Sequence, residues 1–156
     1  MTRGAACDIL DALPDDAEAI LALQKVAYAS EARRYDDWTI PPLVETLDSV
    51  RRDIAQHVVL KAIVDGRLAG SVRGIVKDGV CEVCRFSVDP ALQRRGIGSA
   101  LLAAIEARFL DIEAFALFTG DRSSENLRLY DRHGYVETRR RPVSPAVSLV
   151  YLEKRR

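Results

Sequence analysis

The segment from Gln93 to Ser99, QRRGIGS, places two glycines and two arginines directly ahead of an apolar helical pattern. Gly96 and Gly98 let the backbone adopt turns that other residues avoid, and they let another molecule approach the chain closely. A helix that begins near Gly98 would point free N–H groups and the positive end of its dipole at the same place. Arg94 and Arg95 add side-chain charge. The segment therefore predicts a local anion site, and a diphosphate suits it because consecutive amides can each contact a phosphate oxygen.

Two other interpretations of this segment stay open. One is a simple strand-to-helix turn with solvated arginines, since glycine marks turns generally. The other is an unrelated nucleotide-binding domain. The segment lacks the Gly-Lys-Ser/Thr ending of an NTPase phosphate loop, and it follows a meander of strands instead of opening a βαβ unit. It therefore matches neither of the common nucleotide-binding fingerprints.

Hydrophobic periodicity predicts the elements that position this segment. Apolar residues recur at helical spacing after Pro14, where Asp15 and Asp16 can cap the helix start, and again from Leu43 to Ile54. The double proline before Leu43 is expected to interrupt any helix. Three apolar runs joined by DGR and KDG turns then predict an antiparallel meander: HVVLKAIVD, RLAGSVRGIVK and GVCEVCRFSV. A long helix, a buried strand, an amphipathic helix and a last strand follow, the last three in AFALFTG, SSENLRLYDRHGY and AVSLVYLEK.

The order of these elements predicts the fold class. A strand–helix–strand crossover in the second half of the chain implies one parallel pair inside an otherwise antiparallel sheet. We therefore expect an α+β fold, with a mixed, mostly antiparallel central sheet flanked by helices on both faces. A chain of 156 residues has room for one core, so a single domain is expected over residues 1–156.

Composition limits the classes of partner. Lys plus Arg and Asp plus Glu number 23 each, so net charge does not favour a bulk polyanion such as DNA. No apolar run approaches the roughly 20 residues that a membrane-spanning helix needs. The stretch Met1–Asp11 lacks the basic and then continuously apolar pattern of a secretory signal. We therefore expect no nucleic-acid partner, no membrane partner and a cytoplasmic location.

The cysteines favour a structural role. Cys7, Cys81 and Cys84 are odd in number, which argues against a secreted disulfide framework. The sequence CEVC is typical of redox or zinc sites, but it lies in a strand pattern in which positions 81 and 84 point to opposite faces. The chain has no second closely spaced cysteine pair, and its only histidines are His57 and His133. We therefore expect no metal site.

Two motifs identify a family resemblance. QRRGIG, which follows the strand CRFSVDP, resembles the acyl-CoA-binding signature Gln/Arg-x-x-Gly-x-Gly/Ala of the GNAT superfamily of N-acetyltransferases. NLRLYDRHGY resembles that family's fourth-helix motif, in which a tyrosine precedes Gly-Phe/Tyr. The order of elements is similar over nearly the whole chain. The resemblance implies acetyl-CoA as the cosubstrate and a parallel strand pair that splays apart to hold it.

The resemblance also implies which residues contact acetyl-CoA. The backbone of Phe86, Ser87 and Val88 would pair with pantetheine. The pyrophosphate would be held by the loop residues Gln93, Arg94, Arg95, Gly96, Ile97, Gly98 and Ser99. Where the family often has an asparagine, seven positions before the tyrosine, this chain has Ser123, while Asn126 lies four positions before it. Either residue is a candidate for the pantetheine contact, and Ser123 also suits a helix N-cap.

Acetyl transfer from a thioester to an amine needs a neutral nucleophile, a stabilised oxyanion and protonation of the departing thiolate. The resemblance nominates Tyr130 as the general acid, which also contacts the cofactor; the alternative is that it only packs its helix on the sheet. Glu82 resembles the strand position from which histone-type members deprotonate a lysine. Strand alternation would put Glu82 on one face with Cys84, Phe86 and Val88. The alternative for Glu82 is a solvated strand carboxylate.

The acceptor amine is expected to lie against the N-terminal helices and the loop after them. The candidate residues are Tyr28, Glu31, Tyr35, Asp36 and Trp38, whose charges and rings suit a cationic amine. The expected activity is direct acetyl transfer to a primary amine of a small molecule or peptide in a ternary complex. The alternative is a non-catalytic acyl-CoA-binding regulatory module. The sequence leaves open the amine and the oligomeric state, monomer or homodimer.

Overall fold

The computed structural model describes residues 7–156, so the part of the signal-sequence expectation that concerns positions 1–6 lies outside the described residues. The strands are β1 Cys7–Asp11, β2 Val58–Val64, β3 Arg67–Lys77, β4 Val80–Val88, β5 Ala114–Gly120, β6 Val136–Ser144 and β7 Val147–Arg155. The helices are α1 Ala17–Tyr35, α2 Pro41–Val44, α3 Leu47–Gln56, α4 Ile97–Ala107 and α5 Ser124–Arg132, with 3₁₀ turns at Pro14–Asp16 and Pro90–Leu92.

All the strands join one sheet in the order β1-β2-β3-β4-β5-β7-β6. Every neighbouring pair is antiparallel except β4 and β5, which run parallel. Helices cover both faces, because Val59 of β2 packs with α1 and α3 while the next residue, Leu60, points into the main core with α4. The predicted α+β fold with a mostly antiparallel sheet is confirmed.

The main core fixes the position of α4 against the sheet. Its apolar residues at helical spacing are fully buried: Ile97, Leu101, Leu102 and Ile105. Glycine in β3 lets the helix approach the strand closely, since a Cβ built on Gly70 would lie 2.9 Å from Leu101 Cδ1. The N-terminal end of α4 is therefore held firmly beside the end of β4.

The parallel strands β4 and β5 pair only at their beginnings. The paired residues are Val80 to Glu82 of β4 with Ala114 to Ala116 of β5. β4 then continues to Val88 and β5 to Gly120 without pairing to each other, and β5 remains paired with β7 along its whole length. The two strands therefore splay apart, as the family resemblance implies, and leave the last part of β4 open on one edge.

A β-bulge in β4 contradicts part of the predicted alternation. The β3–β4 register shifts where Arg85 adopts a φ of 49°, so β4 carries an extra residue there. Glu82 and Cys84 consequently face α1 and α3, while Phe86 and Val88 pack on the α4 side. The expectation that these four residues share one face is wrong. A non-glycine residue in left-handed backbone leaves no pattern in the sequence that could have shown the change.

Two short elements also differ from the expectation. β1 adds an edge strand that the sequence analysis did not predict, because its five residues alternate too briefly to be distinctive. Pro41 and Pro42 begin the short helix α2 instead of only interrupting a helix, since proline fits the first helical turn. At the other edge of the sheet, all nine residues of β6 are exposed and its pairing with β7 shifts register twice. Within residues 7–156, no helix is long and apolar enough to cross a membrane.

Candidate active site

The loop before α4 presents backbone amides to open space. Arg94 and Gly96 have φ values of 66° and 77°, and such left-handed residues turn neighbouring N–H groups toward one side. α4 begins at Ile97, and no side chain caps its first amides. The first N–H groups of a helix have no intrahelical acceptor. A Cβ built on Gly96 would have no atom within 4 Å. The loop therefore forms an amide cradle, residues 94–99, whose free N–H groups suit an anion.

The amide cradle opens into a cavity of about 650 Å³, which lies between α1, the end of β4 and α5. Most of the predicted cofactor residues line it: Phe86, Val88, Gln93, Arg94, Gly96, Ile97, Gly98, Ser99 and Asn126. Two predicted acceptor residues, Tyr28 and Glu31, also line it. The remaining predicted residues are not part of its lining: Ser87, Arg95, Ser123, Tyr130, Glu82, Tyr35, Asp36 and Trp38.

Tyr130 lies just behind the cavity wall. The residue is 4% exposed, and its ring packs edge-on against Phe86 with 6.2 Å between ring centroids. Its hydroxyl forms no hydrogen bond to a side chain or backbone group of residues 7–156, yet it is not a fully buried polar atom. Burial raises the pKa of the phenol far above its ordinary value, and the neighbouring Tyr28 and Glu31 raise it further. Tyr130 therefore holds its proton at neutral pH.

Gly98 lies where the start of α4 meets the cavity wall. A Cβ at this position would lie 3.1 Å from Phe86 Cζ and 3.3 Å from Leu129 Cδ2. Both contacts are tighter than side chains normally tolerate. Glycine at this position therefore keeps the end of β4, the cradle and α5 close together around the cavity.

A hydrogen-bonded clasp, Tyr35, Ser123 and Glu31, joins the end of α1 to the start of α5. The backbone N–H of Arg122 donates to the Tyr35 hydroxyl at 2.9 Å, and the Ser123 hydroxyl donates to Glu31 Oε2 at 2.6 Å. The Tyr35 and Ser123 oxygens are 2.8 Å apart. Because Ser123 already donates to Glu31, Tyr35 is the donor between them. The Tyr35 ring also packs on Gly120 so closely that a Cβ there would overlap it.

The two candidates for the pantetheine contact are separated by the structure. Ser123 is the N-cap residue of α5, as its sequence position suggests, but its hydroxyl makes no capping bond and is 1% exposed within the clasp. Asn126 lines the cavity, and its Nδ2 donates to Thr119 Oγ1 at 3.3 Å. Of the two candidates, Asn126 is therefore the one that borders the cavity.

Glu82 lies on the other side of the sheet from Phe86. Its side chain is exposed on the face of β4 that carries α1 and α3, next to the point where β4 and β5 separate. Asp36 and Trp38 follow α1 in an exposed loop, and Trp38 is 53% exposed. Glu82 therefore borders the gap from the α1 and α3 face of the sheet, called the acceptor side below because the amine is expected against α1, while Phe86 lies on the α4 face.

The sequence analysis missed a buried ionic cluster on this acceptor side. Arg73 of β3 is 1% exposed and donates to Glu45 at 2.9 Å and 3.0 Å and to Asp53 at 2.7 Å. Gln24 accepts from the same guanidinium at 2.8 Å, and Arg85 donates to Glu45 at 3.2 Å. The arginine in the middle of the apolar strand RLAGSVRGIVK is the sequence signal that could have indicated a buried partner.

The two strand cysteines are neutral and lie apart. Cys81 packs in the main core on the α4 side, whereas Cys84 faces α1 and α3, as the strand alternation predicted. Burial raises the pKa of each thiol to about 12, with a smaller contribution from Glu82. Residues 7–156 contain no group of three or more His, Cys, Asp or Glu side chains arranged to hold a metal ion.

Comparison with known proteins adds a family match. The acetyltransferase (GNAT) family model matches residues 18–135. The S-(2-succino)cysteine N-acetyltransferase of Bacillus subtilis (strain 168) is 27% identical over 154 residues, which cover 92% of each chain. The PaiA N-acetyltransferase of Thermoplasma acidophilum, solved with coenzyme A, has a TM-score of 0.80 at 15% identity, covering 97% of this chain and 99% of that one. The yncA protein of Salmonella typhimurium, solved with its cofactor acetyl-CoA, has a TM-score of 0.74 at 20% identity, covering 96% and 94%. The two solved structures share the fold.

Proposed function

Because the chain belongs to the acetyltransferase (GNAT) family, we propose that it transfers an acetyl group from acetyl-CoA to a primary amine of a small molecule or peptide, by direct attack in a ternary complex. The observation that carries the proposal is that the amide cradle and the unpaired end of β4, at Phe86 and Val88, line the same cavity. Acetyl-CoA supplies the acetyl thioester that the amine nitrogen attacks, and the coenzyme A thiolate is the leaving group.

Three features of the cavity support acetyl-CoA as the cosubstrate. The amides of residues 94–99 are free for a pyrophosphate, with Arg94 and Arg95 as exposed supplementary charges. The open edge of β4 at Phe86, Ser87 and Val88 can pair with pantetheine as an added strand would. Asn126 offers an amide oxygen from α5. The other proposed pyrophosphate contacts, all of which line the cavity, are Gln93, Gly96, Ile97, Gly98 and Ser99.

In this proposal Tyr130 donates a proton to the departing thiolate. The raised pKa of the phenol supports the role, because the group stays protonated until a strong base is formed next to it. The same burial would raise the pKa of the coenzyme A thiol at that position. The difference in pKa between the Tyr130 phenol and the thiol is therefore smaller than the raised phenol pKa alone suggests. Phe86 holds the Tyr130 ring in place by edge-on packing.

Glu82 is the proposed base for the acceptor ammonium. Its exposed carboxylate borders the gap from the acceptor side, so it can accept a proton directly or through water. Glu31 is the nearest alternative in the cavity wall, but its carboxylate already accepts hydrogen bonds from Arg34 at 2.8 Å and Ser123 at 2.6 Å. Those bonds favour a structural carboxylate at Glu31.

The acceptor would enter past α1 and the loop that follows it. Tyr28 and Glu31 form part of the α1 wall of the cavity, Tyr35 fixes the end of α1 through the clasp, and Asp36 and Trp38 follow in an exposed loop as the proposed outer contacts. The relative from Bacillus subtilis is named for N-acetylation of a cysteine derivative. That name supports a small-molecule amine as the acceptor.

A two-step experiment tests the proposal. Thermal unfolding is measured with acetyl-CoA, coenzyme A, ATP and NAD, and thiol release is then followed over amino acids, peptides and polyamines. We expect protection by acetyl-CoA and turnover with at least one amine class. Protection without turnover on any amine would favour a non-catalytic acyl-CoA-binding module. Protection by ATP or NAD without protection by acetyl-CoA would favour an unrelated nucleotide-binding protein.

A further inference from the structure

The bulge in β4 directs two adjacent side chains to the acceptor side of the sheet. Before the bulge, Cys84 pairs with Arg73 and faces α1 and α3. At the bulge, Arg85 has a φ of 49°, and its guanidinium turns to the same side, where Nε donates to Glu45 Oε1 at 3.2 Å. Bulges often re-aim a side chain next to a functional site. Arg85 is thereby held where β4 separates from β5.

Glu45 holds only one edge of the Arg85 guanidinium. The buried Glu45 carboxylate also accepts from Gln24 at 2.9 Å, from Ser49 at 2.7 Å and from Arg73 at 2.9 Å and 3.0 Å, so it is already saturated. The Nη1 and Nη2 groups of Arg85 donate to no other residue within 7–156, and the side chain is 25% exposed. Arginine carries five N–H donors, and most of those on Arg85 remain for a ligand.

Arg85 lies beside the cavity wall, on the same side of the sheet as Glu82. Tyr28 lines the cavity; burial raises the pKa of its phenol, and the charge of Arg85 opposes that rise from close by. Glu82 is on the same face of β4, roughly 10 Å earlier along an extended strand. An acceptor that enters from this side therefore meets a carboxylate and a guanidinium at the mouth of the gap.

We propose that Arg85 binds a carboxylate of the acceptor, so that the substrate class is amines that also carry a carboxylate group. The inference rests on the proposed acetyltransferase function and names the substrate class of that site. The planar Nη1–Nη2 edge matches a carboxylate with two parallel hydrogen bonds. Because Glu45 fixes the guanidinium in advance, little side-chain entropy is lost on binding. The same charge disfavours purely cationic acceptors such as polyamines.

The test compares matched amines that differ in one carboxylate. Amino acids whose amine and carboxylate are separated by one to five carbons are paired with their carboxamides, and kcat/KM is measured by thiol release. We expect the wild-type protein to prefer the carboxylate member of at least one pair by roughly 10- to 100-fold, the range for a charge-assisted pair. Arg85→Gln should abolish this preference by lowering kcat/KM for the carboxylate member alone. Arg85→Lys should retain part of it.

A matched control is available on the edge strand of the sheet. Arg140 also pairs with a glutamate, Glu137, through Nε at 2.9 Å and Nη2 at 3.1 Å, so Arg140→Gln removes an exposed arginine–glutamate pair without touching the site. We expect that variant to keep the wild-type preference. Thermal unfolding of each variant separates a folding defect from a change in specificity, and Arg85→Lys preserves the charge beside Glu45 if Arg85→Gln is too unstable.

The outcomes distinguish this inference from the function on which it rests. Equal turnover of carboxylate and carboxamide members by the wild-type protein would overturn the role of Arg85 and leave the acetyltransferase proposal intact. If Arg85→Gln lowers kcat/KM equally for both members of a pair, the role of Arg85 in carboxylate binding is also overturned. Arg85 would then only hold Glu45 in position. Failure to acetylate any amine, with acetyl-CoA still bound, would overturn the proposed function and this inference with it.

Discussion

The hydroxyl oxygens of Tyr35 and Ser123 lie 2.8 Å apart, so the last residue of α1 is bonded to the residue that precedes α5. α1 packs on β3 and β4, whereas α5 follows β5. The contact therefore links α1 to the chain that leaves the end of β5, whereas β4 and β5 pair only at their beginnings. It fixes the α1 wall of the cavity relative to the α5 wall.

Removing the Tyr35 hydroxyl should loosen this clasp. Tyr35→Phe leaves the Arg122 amide without its acceptor and Ser123 without a donor, so we expect a loss of about 1 to 3 kcal/mol in the free energy of unfolding. The KM for the acceptor should rise more than the KM for acetyl-CoA. Tyr151→Phe is the matched control, because the Tyr151 hydroxyl makes no hydrogen bond within residues 7–156. Equal stability of the two variants in urea would contradict the role of the clasp.

A side chain at Gly96 should interfere with the amide cradle. Gly96→Ala adds a Cβ that points into open space where a pyrophosphate would bind, so we expect acetyl-CoA affinity to fall about tenfold. Gly66→Ala is the control: Gly66 has a φ of 74°, close to the 77° of Gly96, and also has no atom within 4 Å of its Cβ position. Both variants should lose similar stability, about 1 kcal/mol. Isothermal titration with acetyl-CoA should separate them, and equal affinities would remove the cradle from the binding site.

Tyr130→Phe removes one hydroxyl and keeps the packing against Phe86. If Tyr130 protonates the leaving thiolate, acetyl-CoA should bind normally while kcat falls by about 10²-fold. Direct titration of acetyl-CoA and steady-state turnover on one identified amine measure the two quantities. A variant as active as the wild-type protein would leave Tyr130 with packing alone.

Glu82→Gln should change the pH dependence of the reaction. If Glu82 takes the proton of the acceptor ammonium, the loss should be greatest near neutral pH and should shrink as pH rises toward the amine pKa of about 10, where the nucleophile is already neutral. Turnover of the variant and the wild-type protein, compared from about pH 6.5 to about pH 9.5, shows whether the loss shrinks as pH approaches the amine pKa. A loss that is equal at every pH would assign Glu82 to substrate binding or structure, and the base would be sought at Glu31, Asp36 or a water chain.

The buried carboxylate of Glu45 should make stability depend on pH in acid. Burial alone would raise its pKa, but hydrogen bonds from Arg73, Gln24 and Ser49 lower it from 4.5 to about 2. A folded-state pKa below the unfolded value stabilises the protein above pH 4.5, and this contribution is lost as pH falls toward 2. We expect urea unfolding to lose up to about 3 kcal/mol over that window.

Glu45→Gln tests the assignment of this pH dependence. The variant should be less stable at neutral pH, because it leaves Arg73 buried with one fewer countercharge, but its stability should change less in acid. Glu137→Gln is the control: the pKa of Glu137 is also lowered, by Arg140, but this pair is exposed and contributes little. An acid dependence that Glu45→Gln leaves unchanged would place its origin elsewhere.

Local patterns predicted the elements that carry the cavity. The apolar run AFALFTG is β5 from its first residue to its last, and the glycine-rich start of α4 lies at the mouth of the cavity. Both follow from short-range chemistry, hydrophobic burial in one case and free helix amides in the other. Tyr130 packs beside Phe86 behind the cavity wall, and its role as the acid, which the family resemblance implies, stays a prediction.

Features that depend on partners distant in sequence could not be predicted in the same way. Ser123 was a sound N-cap candidate, but its hydroxyl bonds to Glu31, 92 positions away, instead of the helix that it precedes. Arg85 looked like an ordinary strand residue, yet it sits in left-handed backbone and bonds to Glu45, 40 positions away. Such contacts are chosen by tertiary packing, and nothing in the local sequence distinguishes them.

The exposed edge strand β6 has a consequence for how copies of the protein can meet. Its sequence VETRRRPVS puts three consecutive arginines and Pro142 on the rim, and its pairing slips register at two points. A second copy adding itself strand to strand here would face a proline that has no N–H to donate, a twisted rim and a row of like charges. β6 thus resists edge-to-edge extension of the sheet by a second copy. A homodimer is therefore expected to bury a different surface.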